Sequence, residues 1–195
     1  MKKCFVLLII PVLLLSGCAA GEGGNAAQPI GTVEVQANEK DFSKSSGSHI
    51  SAFSTEYNEN NKSRSHNIRL ASEAVDGVIV RPGETFSFND TVGSTSRSNG
   101  YKQATVFLNR EKTKGYGGGI CQVSTTLYNA AEMAGMEIVE RHSHSLDITY
   151  IEEGRDATTS HRGKLDFKFE NPYDFPVVIR VGNESGTITV EFYVL

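Results

Sequence analysis

Cys121 is the residue of this sequence best equipped for covalent chemistry. It follows Gly117-Gly118-Gly119-Ile120 and opens the segment Cys121 to Ala134, where Val123, Leu127, Ala130 and Ala134 recur at spacings of four, three and four. That spacing predicts a helix with one buried face and the thiol at or near its N-terminus. The unpaired N–H groups of a helix's first turn favour an anion, and so a thiolate. The glycines before it would let a substrate backbone approach closely and leave N–H groups to face a developing oxyanion. Gln122, next to the thiol, is either a further oxyanion donor or a helix cap.

Acyl transfer by a thiol also needs a base, and the sequence offers His142 and His144, separated by Ser143. If the β-like stretch from Met136 to His142 runs on, both imidazoles fall on one face. Either could take the thiol proton and later return it. Asp156, after Gly154 and Arg155, is a candidate to orient that imidazole, as the third member of a triad does; the plainer readings are a loop salt bridge or an Asx turn. Arg141 is a candidate to hold a substrate carboxylate, with Arg155 and Tyr116 as further substrate contacts, whereas Tyr128 has the spacing of a core residue. Two other readings of the thiol stay open. It could be a small buried hydrophobe. It could also join His142 and His144 on zinc, although no fourth ligand stands out and His161 lies in a loop. No metal or cofactor is expected.

The elements that must position these groups can be read from the pattern. His66 to Val75 has helical spacing and a stop at Gly77. Val78 to Val80, the turn Arg81-Pro82-Gly83-Glu84, then Phe86 and Phe88 read as strand, turn, strand. Gln103 to Leu108 is a strand candidate, and Gly135 ends the Cys121 helix. Leu165, Phe167 and Phe169 alternate before a turn at Asn171-Pro172. Val177 to Val181, Gly182 to Gly186 and Thr187 to Val194 read as a terminal hairpin. The expected fold is α+β: one compact domain of mostly antiparallel strands, with a central helix carrying Cys121 at its N-terminus.

The N-terminus reads as an address. Lys2 and Lys3 precede an apolar run, Phe5 to Leu15, that is too short to span a bilayer, for which ~20 residues are needed. The run ends in Leu15-Ser16-Gly17-Cys18, which resembles a bacterial lipobox. Residues 1–17 are then a lipoprotein signal peptide, and Cys18 is the lipidated first residue of the mature chain. Residues 18–49 form a tether: Ala19 to Gly31 is rich in Gly and Ala, Thr32 to Ala37 is a strand candidate, and Lys40 to Ser51 reads as loop. The domain occupies 50–195. Buried acyl chains contribute ~0.8 kcal/mol per CH₂, enough for a two-chain anchor. The expected place is the outer face of a bacterial cytoplasmic membrane.

Of the three Cys in the chain, Cys4 is removed with the signal and Cys18 is lipidated, so Cys121 stands alone without a disulfide partner. The net charge of −4, with no clustered Lys and Arg, argues against nucleic acid as a partner.

GGGICQVSTTLYNA at 117–130, GMEIVERHSHS at 135–145 and GRDAT at 154–158 resemble the VanW family. So do RPGETFSFN at 81–89, Val92-Gly93, Gly100-Tyr101 and Phe53-Ser54-Thr55. The resemblance covers about residues 50–195. It implies an association with vancomycin-resistance gene clusters. It also implies L,D-transpeptidation of peptidoglycan stem peptides, with the nucleophile role falling on Cys121. The alternative is a non-catalytic peptidoglycan- or glycopeptide-binding accessory module.

Overall fold

The computed structural model describes residues 47–108 and 111–195; the expected signal peptide, lipidated Cys18, and the strand proposed at Thr32 to Ala37 lie outside them. The chain order is β1 (His49–Glu56), α1 (Lys62–Val75), β2 (Ile79–Val80), β3 (Thr85–Ser87), α2 (Phe88–Val92), β4 (Gln103–Leu108) and β5 (Glu111–Tyr116). It continues with α3 (Ile120–Met133), β6 (Glu137–Glu140), β7 (Lys168–Glu170), β8 (Val177–Glu184) and β9 (Thr187–Val194). All paired strands are antiparallel, in sheets of order β1-β9-β8-β2, β3-β7-β6 and β4-β5. The fold is α+β, as expected, and the described residues belong to one compact unit.

The core lies between α3, α1 and the inner face of the first sheet. Ile68, Val123, Leu127, Phe167, Phe169, Ile179, Ile188 and Phe192 are all fully buried there. Each such side chain contributes roughly 1.5–3 kcal/mol by leaving water. Helix α3 is covered nearly all round, from Gln122 to Ala131. It ends where Gly135 predicts: the Met136 N–H returns to Ala131 O and the Gly135 N–H to Glu132 O, the paired bonds of a Schellman stop.

Several local expectations change. Strand β1 starts at His49, inside the stretch read as loop, because its residues find a full partner in β9. Helix α1 starts at Lys62, four residues before His66, because the Asn61 side chain accepts the Arg64 N–H. Phe88 is not strand. Ser87 Oγ accepts the Asp90 N–H and turns the chain into α2, with Phe88 as its first, fully buried residue. The terminal hairpin is longer than predicted, with β8 running to Glu184 and the turn confined to Ser185 (φ 47°) and Gly186 (φ 78°). Two positive φ values in succession match the twist of such a hairpin.

Candidate active site

Helix α3 presents Cys121 in its first turn, preceded by Gly119 at φ 113°, a conformation that costs a residue with a Cβ. The need for glycine here is internal. A Cβ on Gly118 would stand 2.4 Å from Thr105 O on β4, and one on Gly119 would stand 2.9 Å from Arg64 Cγ on α1. Gly117 is held against Thr95 in the same way. The run therefore lets the helix start be wedged between β4 and α1. The Asn67 side chain locks it, donating to Gly118 O at 3.0 Å and Lys102 O at 2.9 Å.

The polar residues buried on α3 serve as clamps for a second segment. Ser124 Oγ donates to Ala157 O at 2.7 Å, Thr125 Oγ1 accepts the Ala157 N–H at 3.0 Å, and Asn129 Nδ2 donates to Arg155 O at 2.8 Å. These bonds fix residues 155–159 along the helix. The Thr158 N–H in turn donates to His142 O at 2.8 Å and draws in the chain that carries His144. Three stretches far apart in sequence thus meet at one point.

At that point Cys121, His144 and Asp156 stand in series. The thiol and the His144 imidazole lie close enough for each to shift the proton affinity of the other. His144 Nδ1 donates to Asp156 Oδ2 at 2.6 Å, and the same oxygen accepts the His144 backbone N–H at 2.6 Å. With Nδ1 occupied, Nε2 is the ring nitrogen left for sulfur. The side chains of His144 and Asp156 are 6% and 8% exposed, so this is a nearly dry pair. Around the sulfur lie Thr158 Oγ1 at 3.6 Å and Thr159 O at 3.5 Å.

Burial pushes the Cys121 thiol up, but the His144 hydrogen bond and charge, with help from Thr159 and Thr158, outweigh it and hold the thiol below its ordinary range. Burial pulls His144 down, yet Cys121 and then Asp156 hold the imidazole above its usual value. For Asp156, burial is overcome by the backbone and side-chain bonds from His144, and the carboxyl lies below its usual range. All three directions favour thiolate, imidazolium and carboxylate together.

The two histidines part company. Strand β6 stops at Glu140, so the shared face expected for His142 and His144 does not form. His142 Nε2 instead contacts Glu140 Oε1 at 2.9 Å, whose other oxygen pairs with Lys168 Nζ at 2.9 Å. Lys168, then His142, hold the Glu140 carboxyl down at about 2. This separation also dissolves the Cys–His–His zinc set: among the described residues no group of three or more His, Cys, Asp or Glu is arranged to hold a metal ion.

Arg141 is turned inward and braces Asp156. Its Nε donates to Asp156 O at 2.6 Å, and its Nη2 to Gly154 O at 2.7 Å and Asp156 Oδ1 at 3.2 Å. Arg155 lies over the Phe53 ring at 5.1 Å, and Tyr116 is at the exposed end of β5. Tyr128 is core, as its spacing predicted. Gln122 is neither a cap nor an oxyanion donor through its side chain. It is fully engaged, donating to Thr55 Oγ1 at 2.9 Å and Glu56 O at 2.8 Å and accepting from Arg64 Nη2 at 2.7 Å.

Sequence reasoning missed Thr158 and Thr159, which touch the sulfur, and Arg64 and Tyr150, on which its charge acts. The threonines directly follow Asp156-Ala157, so a search outward from Asp156 would have found them. Arg64 and Tyr150 carry no local signal.

Comparison with known proteins agrees with the motif pattern. The family model described as "VanW like protein" matches residues 63–193. The "Uncharacterized protein YoaR" of Bacillus subtilis (strain 168) is 46% identical over 144 residues, which cover 74% of this chain and 47% of that one. The "Vancomycin B-type resistance protein VanW" of Enterococcus faecalis (strain ATCC 700802 / V583) is 32% identical over 132 residues, 65% of this chain and 46% of that one. The chain thus spans about half the length of the curated relatives it matches. No solved structure matches. Among the described residues, no helix is long and apolar enough to cross a membrane. By its family match from 63 to 193 and by these relatives, the chain belongs to the VanW-like protein family.

Proposed function

We propose that this protein is an exported cell-wall enzyme, anchored by lipid at Cys18, that performs cysteine-dependent acyl transfer on peptidoglycan stem peptides. The observation that carries this reading is the series Cys121–His144–Asp156, with His144 Nδ1 committed to the carboxylate at 2.6 Å. The vancomycin-resistance name of the Enterococcus relative favours the cell wall as the source of the acyl donor.

The Cys121 thiolate attacks the carbonyl carbon before the terminal D-residue of a tetrapeptide stem. The C–N bond breaks, and His144 Nε2 delivers its proton to the departing amine. The product is a thioester on Cys121 and a free D-amino acid. An amine of a neighbouring stem then attacks the thioester, gives its proton to the now neutral imidazole, and forms an amide as the C–S bond breaks. Water in place of the amine yields a carboxylate and trims the stem. Dividing one hard displacement into two easier ones is the gain from the covalent route. Asp156 holds the ring in the correct tautomer and stabilises the imidazolium.

Incubation of the purified chain with disaccharide-tetrapeptides, beside its Cys121→Ala form, tests this reading. Cross-linked or trimmed muropeptides should accumulate only with the intact thiol. Equal processing by both forms overturns the proposal and leaves the non-catalytic binding module.

A further inference from the structure

Arg64 is a cation in an unusual place. Its stem runs across Gly119, and its guanidinium bonds the Gln122 side chain at the first turn of α3. A helix N-terminus repels positive charge, and Arg64 is partly buried there. Its side-chain partner is a neutral amide oxygen, taken by Nη2 alone, and no carboxylate pairs with it among the described residues. Buried cations are ordinarily paired, so a site that keeps Arg64 in this position has use for an anion.

A second group points the same way. The Tyr150 hydroxyl is buried with no hydrogen bond of good geometry, although Thr125 is near it. The Tyr150 ring meets His144 edge-on at 6.4 Å. Arg64, Tyr150 and Cys121 are close enough for each charge to act on the others. Burial, then the Cys121 anion, hold the phenol in its protonated, donating form. A guanidinium bonded to Gln122 and a phenol set against His144, neither with a carboxylate acceptor among the described residues, thus stand beside two neighbours of the thiol in the site.

We propose that Arg64, with the Tyr150 hydroxyl, is the carboxylate-reading element of the Cys121 site, so that the preferred acyl donor is a peptide whose free C-terminal carboxylate lies one residue beyond the attacked carbonyl. One residue spans ~3.3–3.6 Å, so a carbonyl held at sulfur keeps such a carboxylate near the first turn of α3, where Arg64 bonds Gln122. The planar fork of Arg suits two carboxylate oxygens. This assigns to Arg64 the task that sequence gave to Arg141, whose donors are spent on Asp156 and Gly154. The proposal rests on the acyl-transfer reading for its place in a reaction, but its binding test is made with the thiol removed.

The test is binding of two synthetic tetrapeptides to the full chain carrying Cys121→Ala, by calorimetry. One peptide ends in D-Ala with a free carboxylate, and the other is its C-terminal carboxamide. The carboxylate form should bind at least about 10-fold tighter, as a charge-assisted hydrogen bond would give. Arg64→Met should erase the difference, and Arg64→Lys, which keeps the charge and the long stem, should retain part of it. Equal affinity for the two peptides, binding of neither, or a preference that survives Arg64→Met overturns the proposal. So does a rise of a unit or more in the pH of Cys121 alkylation on Arg64→Met with the preference intact, since Arg64 would then serve the thiolate. A failure of the enzyme reading appears instead as absent acylation of the intact thiol while the carboxylate preference stands.

Discussion

Asp156 Oδ2 accepts two hydrogen bonds from one residue, the backbone N–H and the Nδ1–H of His144, each at 2.6 Å. The double contact sets both the path of the chain at residue 144 and the plane of its ring. Arg141 closes the other side of the carboxylate. Asp156 is therefore held from two directions and cannot swing away without breaking both.

Replacing Asp156 by Asn keeps the shape and removes the charge. Stem processing should fall by roughly 10²–10⁴-fold, the usual range when an orienting carboxylate or an acid–base group is lost. Steady-state kinetics on tetrapeptide muropeptides would show it as a loss in kcat with little change in KM. A variant with ordinary kcat would mean that Asp156 only shapes the loop.

Alkylation of Cys121 carries a pH signature whose sign follows from the shifts. The thiol lies below its ordinary range, so its thiolate persists as pH falls under ~8.5 and disappears only below the folded value. His144 lies above its ordinary range, so the imidazolium that stabilises the thiolate persists as pH rises past ~6.5. Between the two, iodoacetamide should react faster than with a free thiol. Asp156→Asn withdraws support from the imidazolium and should move the profile to higher pH. A profile centred near 8.5 in both proteins would contradict the ion pair.

His142 and His144 should separate cleanly. His144→Ala removes the acid–base group and should lower processing by about 10²–10⁴-fold. His142→Ala loses only a half-exposed contact with Glu140 and should leave kcat within about twofold, since exposed pairs contribute little. The reverse order in parallel assays would transfer the acid–base role to His142.

Much of this was legible beforehand, and the exceptions have physical causes. The Cys121 helix was readable because its apolar spacing and its glycine stop are local facts. The closeness of Asp156 to His144 was within reach of the sequence because only twelve positions separate them, and the pair is met by the Arg141–Asp156 salt bridge that was the plainer reading of the same residue. The shared face of the histidines was not, because β6 stops at Glu140, where the register to β7 slips and Glu140 engages Lys168 and Asp166. Strand β5 escaped notice because Glu111–Tyr116 is exposed along most of its length and so carries no apolar alternation. Arg64 escaped because its partner, Gln122, is 58 positions away and only the packing of α1 on α3 brings them together.

The glycine run gives a stability test that is independent of chemistry. Gly118→Ala forces a Cβ to within 2.4 Å of the Thr105 carbonyl oxygen. Relief requires backbone movement of β4 or of the helix start, and overpacking of this kind costs about 1–3 kcal/mol. Thermal unfolding should show a loss of several degrees. An unchanged Tm would mean that the run is loosely packed, and would return the glycines to the substrate role suggested by sequence.

Acylation of Cys121 by a stem peptide is the step on which the proposed chemistry depends. Brief incubation of the intact chain with disaccharide-tetrapeptide, an acid quench and mass spectrometry of the peptide bearing residue 121 measure this directly. An adduct equal to the stem less its terminal D-residue is expected on Cys121, labile to hydroxylamine and absent from His144→Ala at the same time point. Unmodified Cys121 in a preparation that still converts muropeptides, or an adduct on another residue, would contradict it.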